Sequence, residues 1–354
     1  MIRHQESKKL AVIGAGNAGC VTALHWRLYQ PDLEIDLYHD SVHHPIERVG
    51  QGTTIPVTGL ISTCLDFDWF NNPIAATLKT GILYKNWGTK KEKFFHSFYS
   101  LDQVSIHYTP KKLSDSVLSS GLFNVKEQEI TDPEKEIDAD FIIDCRGRKN
   151  IDKDNINKLV NPLNSVLLAS LPKKEMIWTE SIAHPNGWCF IVPTEDKLSL
   201  GYLYNCELTS KEEAIKDFQE RFGVEEIEHQ MKFDNYCSFN PFSESGRLLK
   251  NGNSAAFIEP LEATATGLYL WIARVGYDRF INKVDIPQCL HLLHKEVNSI
   301  ANFVLWHYKT GSKFNSPFWN YVKTLPFTPI KKPVGDETYG QWGRPSFDVW
   351  EDNT

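Results

Sequence analysis

Three features of the sequence carry chemistry through residue type and spacing alone. Gly14, Gly16 and Gly19 form a G-x-G-x-x-G run directly after the apolar residues 10–13. Such a turn aims backbone N–H groups and a helix N-terminus at a pyrophosphate, and the third glycine permits close helix–strand packing. Lys79 lies in the run 78–84, where alternation puts it on one face with Gly81 and Leu83 rather than with charged residues. An inward lysine is partly desolvated, which draws its pKa down toward the neutral, nucleophilic amine. Glu262 sits in the apolar stretch 257–270, where Glu259 alone shares its charge, and burying it without a partner would be costly.

These residues need a scaffold. The run 10–13, the glycine turn and the helical spacing of Val21, Leu24 and Trp26 up to Pro31 predict strand, turn and helix. Residues 33–38 alternate as a second strand, and the apolar 141–144 reads as a third that ends in Cys145-Arg146-Gly147. Residues 78–84 and the aromatic 94–99 read as strands or buried loops of an inserted sheet. Ser210 to Glu213 is a capping box before Ala214, Ile215, Phe218 and Phe222. Pro287 opens a helix of about six turns that stops at Gly311. The second strand should end in an acid for ribose hydroxyls, but His39 occupies that register and Asp40 follows it by one.

The 354 residues, 41% apolar and 12% aromatic, are enough to bury a sizeable core, which excludes a disordered or fibrous chain. A net charge of −7 without like-charge blocks argues against nucleic acid as a partner. Seven single cysteines without a C-x-x-C pair fit a reducing, cytoplasmic setting. No apolar stretch reaches the roughly 18 residues of a membrane span. His39, His43 and His44 beside Asp40 lack a second ligand group, so no metal is expected.

Further blocks narrow the class. Gly252-Asn253-Ser254 and residues 255–260 resemble the second flavin fingerprint of aromatic-hydroxylase-like flavoproteins, with Asn253 where those proteins commonly have Asp. Residues 48–56 from Arg48, Lys79 within 76–81, Asn86-Trp87, residues 187–193 and residues 260–264 follow in order, with Phe95-His96, Asp144-Cys145, Gly201-Tyr202, His307-Tyr308 and residues 316–319 between and after them. Together they resemble flavin-dependent halogenases of the tryptophan-halogenase type. Departures are Phe190 and Val192 in place of Trp and Ile, and the lack of an acid near Gln51 and Thr53.

The resemblance implies an α/β (α+β) fold of the FAD-binding aromatic-hydroxylase-like kind: a Rossmann-type nucleotide layer, an inserted substrate sheet and C-terminal helices in a single intertwined unit over 1–354. The expected FAD-binding module is 8–60, 137–150 and 245–285, the substrate module 61–136 and 151–244, and the helical part 286–354. FAD, reduced by a separate flavin reductase, is held by Gly14, Gly16, Gly19, Asp40, Arg48, Gly252 and Asn253. Reduced FAD, O2 and halide yield hypohalous acid, which is carried to Lys79 and oriented by Glu262. Halide rests near Thr266 and Gly267, as an anion nest of backbone amides would allow, and Trp188, Phe190 and Pro193 wall the flavin from an aromatic small-molecule substrate. Two other readings use the same blocks: a flavin monooxygenase inserting oxygen, and a degenerate FAD-binding protein without turnover. Trp306, Trp319, Trp342 and Trp350 are expected as core or subunit contacts rather than substrate stackers, with the lining of an aromatic pocket by some of them as the alternative, and a homo-oligomer is left open. In the family the groups that clamp free tryptophan come largely from the region after Trp319, which is short here, so such a clamp is not expected. A relatively open site for phenols, anilines or indoles is therefore expected, with bromide or iodide ahead of chloride.

Overall fold

Leu10, Val12, Leu37, Ile142 and Ile143 are fully buried β-branched or aliphatic residues, the composition of strands covered on both faces. A computed structural model of the chain describes residues 8–42, 49–67, 71–97, 104–148 and 151–354. Among these residues, five strands form a parallel sheet in the order Leu248–Lys250, Phe141–Asp144, Lys9–Ile13, Glu34–His39, Asn124–Glu127. The helix Asn17–Tyr29 packs against the helix Thr264–Phe280. Trp26 joins the helices to the sheet, with ring centroids 5.4 Å from Tyr277, 5.9 Å from Phe280 and 6.2 Å from Phe141.

The second layer is a seven-stranded sheet in the order His229–Lys232, Ser165–Pro172, Lys197–Tyr204, Gly187–Pro193, Thr179–His184, Gly81–Lys85, Lys93–Ser97. It is antiparallel except where Thr179–His184 pairs with Gly81–Lys85. Cys189 and Tyr202 face Ala214 and Phe218 of the helix Lys211–Phe222, which begins with the expected Ser210–Glu213 capping box and ends on Gly223 at φ 70°. Trp188, Phe190 and Val192 face the main core on the other side, as alternation along a strand requires.

Two expectations change. The run 78–84 is not one strand: Thr77–Lys79 pairs with Ser105–Tyr108 in a small sheet that also holds Gln51–Gly52, whereas Gly81–Lys85 belongs to the large sheet. The chain changes sheets at Thr80, whose N–H and hydroxyl both bond the Ile177 carbonyl, so Lys79 and Gly81 do not share a strand face. The boundaries 61–136 and 137–150 also cut across the parallel sheet, because Asn124–Glu127 supplies its edge strand. The helix Ile286–Thr310, capped by Asp285 and stopped by Gly311, has 25 residues, about seven turns. After it, the helix Pro317–Thr324 packs back on Ile286–Thr310, and beyond a two-stranded turn at 338–343 the helix Arg344–Asn353 lies against the large sheet's edge strand Lys93–Ser97.

Candidate active site

The cofactor side follows from where a side chain will not fit. Gly14 has φ +99°, and a Cβ there would stand 2.8 Å from the Cys145 carbonyl oxygen; a Cβ on Gly19 would stand 1.7 Å from the Gly14 oxygen. Gly16, the N-cap of Asn17–Tyr29, is different: among the described residues no side chain caps the helix, and no atom lies within 4 Å of its Cβ position. Uncapped helix N–H groups facing open space suit a diphosphate. Gly252, at φ +70°, has its Cβ position 2.6 Å from the Ala18 Cβ, so the second glycine turn rests on the first turn of this helix. Asn253 is held by the Tyr269 hydroxyl, which donates to its Oδ1 at 3.2 Å. A small cleft lined by Asn253, Ala256, Ile258, Thr264, Ala265 and Leu268 runs from there to the start of the helix Thr264–Phe280. The two glycine turns thus fit one extended dinucleotide. Asp40 follows the end of the second strand and its Oδ1 accepts from the Val42 N–H at 3.0 Å. Arg48, His43 and His44 lie outside the described residues.

Lys79 closes the strand Thr77–Lys79 and is 2% exposed, so the amine is enclosed rather than set on an open surface. Its Nζ donates to the Thr53 carbonyl at 3.1 Å and lies over Gly52, where a Cβ would be 3.1 Å from it. Burial lowers the Lys79 pKa from the usual 10.5 to about 8, and the negative charge of Glu262 partly opposes this. Burial, and then the Lys79 charge, hold neighbouring His107 well below the ordinary histidine range, so it stands as a neutral ring whose Nε2 meets the Thr179 hydroxyl at 2.9 Å.

Glu262 occupies a tight turn between Pro260 and the helix Thr264–Phe280. Glu262 and Ala263 have φ 70° and 54°, a left-handed conformation that costs about 1–2 kcal/mol per residue without glycine. Its side chain is 5% exposed. Tyr84 donates its hydroxyl hydrogen to Oε1, His307 Nε2 lies 3.1 Å from the same oxygen, and the Trp342 indole N–H donates to Oε2 at 3.3 Å. His307 Nδ1 donates to the Phe303 carbonyl at 2.8 Å, since a carbonyl only accepts. Burial would push the Glu262 pKa up, but the His307 hydrogen bond and charge, with His96 and Tyr84, outweigh it and hold it at about 2. Lys79 and Glu262 are brought into electrostatic contact, with His96 feeling both.

The remaining site expectations lie around this centre. Thr266 has a buried hydroxyl without a hydrogen-bond partner among the described residues, and the Cβ position of Gly267 is filled by the Gln341 side chain. Phe190 lies over Gly201, whose Cβ would be 2.2 Å from the ring, and Trp188 stands 6.1 Å from Phe190. Pro193 ends that strand, and its carbonyl accepts from the Thr77 hydroxyl at 3.1 Å, which ties the wall to the lysine strand. Sequence reasoning missed Tyr84 and Trp342 as partners of Glu262, and it favoured Trp342 as a core or subunit contact. It quoted His307-Tyr308 without a role. The signal was available only in part: a tyrosine two residues from Ile82 on one strand face, and a histidine near the end of an apolar helix.

A model of the tryptophan halogenase family matches residues 9–114 and 103–334. The tryptophan 7-halogenase RebH of Lentzea aerocolonigenes is 23% identical over 207 residues, 53% of this chain and 39% of that protein. The tryptophan 7-halogenase KtzQ of Kutzneria sp. (strain 744) is 25% identical over 219 residues, 56% of this chain and 40% of that protein. The matched part is therefore about two fifths of the length of these curated relatives. The structure of Xcc4156, a flavin-dependent halogenase from Xanthomonas campestris, has a TM-score of 0.81 at 16% identity and covers 98% of this chain and 89% of its own. BrvH, a flavin-dependent halogenase from Brevundimonas sp. BAL3, gives 0.80 at 14%, with 98% and 89% covered. The fold is shared over nearly the whole chain, the family model spans most of it, and the chain belongs to the tryptophan halogenase family.

Proposed function

We propose that this chain halogenates an electron-rich aromatic small molecule with reduced FAD, O2 and halide, the FADH2 coming from a separate reductase. The balance is FADH2 + O2 + X⁻ + ArH + H⁺ giving FAD + ArX + 2 H2O. The observation that carries this reading is an enclosed amine, Lys79, poised near neutrality beside an ionised, fully oriented carboxylate, Glu262. Oxygen insertion beside a flavin requires no such pair.

Residues of the two glycine turns, Gly14, Gly16, Gly19, Gly252 and Asn253, would hold the FAD, which supplies two electrons to O2 when bound. Halide would rest on the first amides of the helix Thr264–Phe280, near Thr266 and Gly267, where the macrodipole favours an anion. Lys79 would hold hypohalous acid by its N–H groups or take the halogen onto its neutral amine. Three of the four lone-pair directions of Glu262 are used by Tyr84, His307 and Trp342, so it acts chiefly as a fixed negative charge with one acceptor direction left on Oε2. Trp188 and Phe190 would keep the organic substrate from the flavin.

The test supplies the chain with reduced FAD, each of chloride, bromide and iodide, and a panel of phenols, anilines, indoles and free tryptophan, with mass spectrometry of the products. Halide-dependent mass shifts support the proposal. Hydroxylated products independent of halide would replace it with a monooxygenase, and FAD binding without any product would leave a degenerate binding protein.

A further inference from the structure

Three residues before Glu262, in the same turn, stands a second carboxylate with no part in the chemistry above. Glu259 is fully buried. The Tyr308 hydroxyl donates to its Oε1 at 2.7 Å, and the Trp188 indole N–H and the Leu261 backbone N–H both donate to Oε2 at 3.2 Å. Its own N–H donates to Asn235 Oδ1 at 2.7 Å. Every one of these partners is uncharged, as is Asn161, which also reaches the carboxylate. The carboxylate therefore ties three elements together: the strand Gly187–Pro193 through Trp188, the helix Ile286–Thr310 through Tyr308, and the turn itself through Leu261. That helix presents consecutive residues to the two acids, Tyr308 to Glu259 and His307 to Glu262.

Glu262 and Ala263 are non-glycine residues with positive φ in sequence, a conformation that persists only where surrounding structure enforces it. Glu259 is the side chain that bonds this turn from within, through Leu261. We propose that Glu259 is a positioning residue: its carboxylate, held by Tyr308 and Trp188, fixes the left-handed turn that sets Glu262 against Tyr84, His307 and Trp342. This rests on the function proposed above. A protonated Glu259 would need Tyr308 to turn from donor to acceptor, and it would offer the Leu261 N–H a weaker partner. Burial, partly offset by the bonds from Tyr308, Leu261 and Trp188, raises the Glu259 pKa to about 7, within the range where such a change can be followed. Burial, and then the Glu259 charge, keep the Tyr308 phenol protonated throughout that range.

The test is an NMR titration of 15N-labelled protein from pH 5.5 to 8.5, with Trp188→Phe used to identify the Trp188 indole resonance. In the wild type, the Trp188 indole N–H and the amides of Leu261, Glu262 and Ala263 should shift together with one midpoint near pH 7. In Glu259→Gln all four should be flat, and in Tyr308→Phe, which loses a donor to the anion, the common midpoint should rise. In turnover, wild-type kcat should fall below that midpoint. Glu259→Gln should have kcat reduced by about tenfold or more across the whole range, with substrate KM little changed, because a misplacement of about 1 Å can cost a hundredfold. Absence of the wild-type titration, its survival in Glu259→Gln, or an indole shift that the three turn amides do not follow would each overturn the proposal. The NMR arm needs no halogenated product, so it stands apart from failure of the proposed reaction, and Tyr308→Phe keeps it decisive if Glu259→Gln does not fold.

Discussion

Lys79→Met tests the central electrostatic argument through stability. The substitution keeps an unbranched apolar stem of similar size while removing the buried charge. Between the usual 10.5 and the folded value of about 8, the unfolded chain binds more protons than the folded one. The penalty for burying the ammonium is thus fully present at pH 7 and is relieved as pH rises from about 8 toward 10.5. The gap corresponds to about 3 kcal/mol, of which about 2 kcal/mol is recovered by pH 9.5. Against this, the variant loses the bond to the Thr53 carbonyl, worth about 1 kcal/mol at any pH. Lys79→Met should therefore be about 2 kcal/mol more stable than the wild type at pH 7 and about equal to it at pH 9.5. Urea unfolding of both proteins without FAD, at the two pH values, measures this. A difference that does not change between pH 7 and 9.5 would refute the claim that Lys79 is a desolvated amine.

Other outcomes follow from the same geometry. Gly16→Ala should leave the melting temperature unchanged, because its Cβ meets no atom of the described residues, yet weaken FAD binding by about tenfold or more, roughly 1.4 kcal/mol; Gly19→Ala, driven into the Gly14 oxygen, should fail to fold or melt far lower. Unaltered FAD affinity in Gly16→Ala by fluorescence titration would move the diphosphate elsewhere. Glu262→Gln should keep FAD affinity and lose about a hundredfold in kcat, since an amide cannot accept from Tyr84, His307 and Trp342 at once and carries no charge. Trp342→Phe keeps an aromatic ring against Phe303, where the native rings stack at 3.9 Å, but removes the donor to Oε2. Its kcat should fall by about tenfold or more, and a wild-type rate would make Trp342 a packing residue only.

What could be read from the sequence was local. The glycine turn, the capping box at Ser210 and the helix closing at Gly311 each announce themselves within a few residues. The burial of Lys79 could be expected from its neighbours, but not its surroundings, because nothing in 78–84 marks the change of sheet at Thr80; that depends on Ile177, 97 positions away. The partners of Glu262 were invisible for the same reason: Tyr84 is 178 positions from it and Trp342 80. The left-handed backbone at Glu262 and Ala263 has no glycine to betray it, and only tertiary bonds enforce it. Asp40 shows the reverse: the sequence places it just after a strand end, and there its carboxylate accepts from the Val42 N–H of its own turn.

The change of sheet at Thr80 also bears on how the surroundings of Lys79 could be varied. Lys79 is the last residue of the small sheet and Gly81 the first of a strand in the large one, with Thr77 bonded to Pro193 and Thr80 to Ile177 on either side. Two separate hydrogen-bonded frameworks thus locate the amine. The edge strand Lys93–Ser97 meanwhile turns alternate side chains outward, and Phe95, 41% exposed, lies against Trp178 over Gly81. Substitutions confined to Phe95 and Trp178 would alter this exposed edge while leaving intact both frameworks that fix Lys79, so the surface beside the lysine and the lysine's own position can be varied independently.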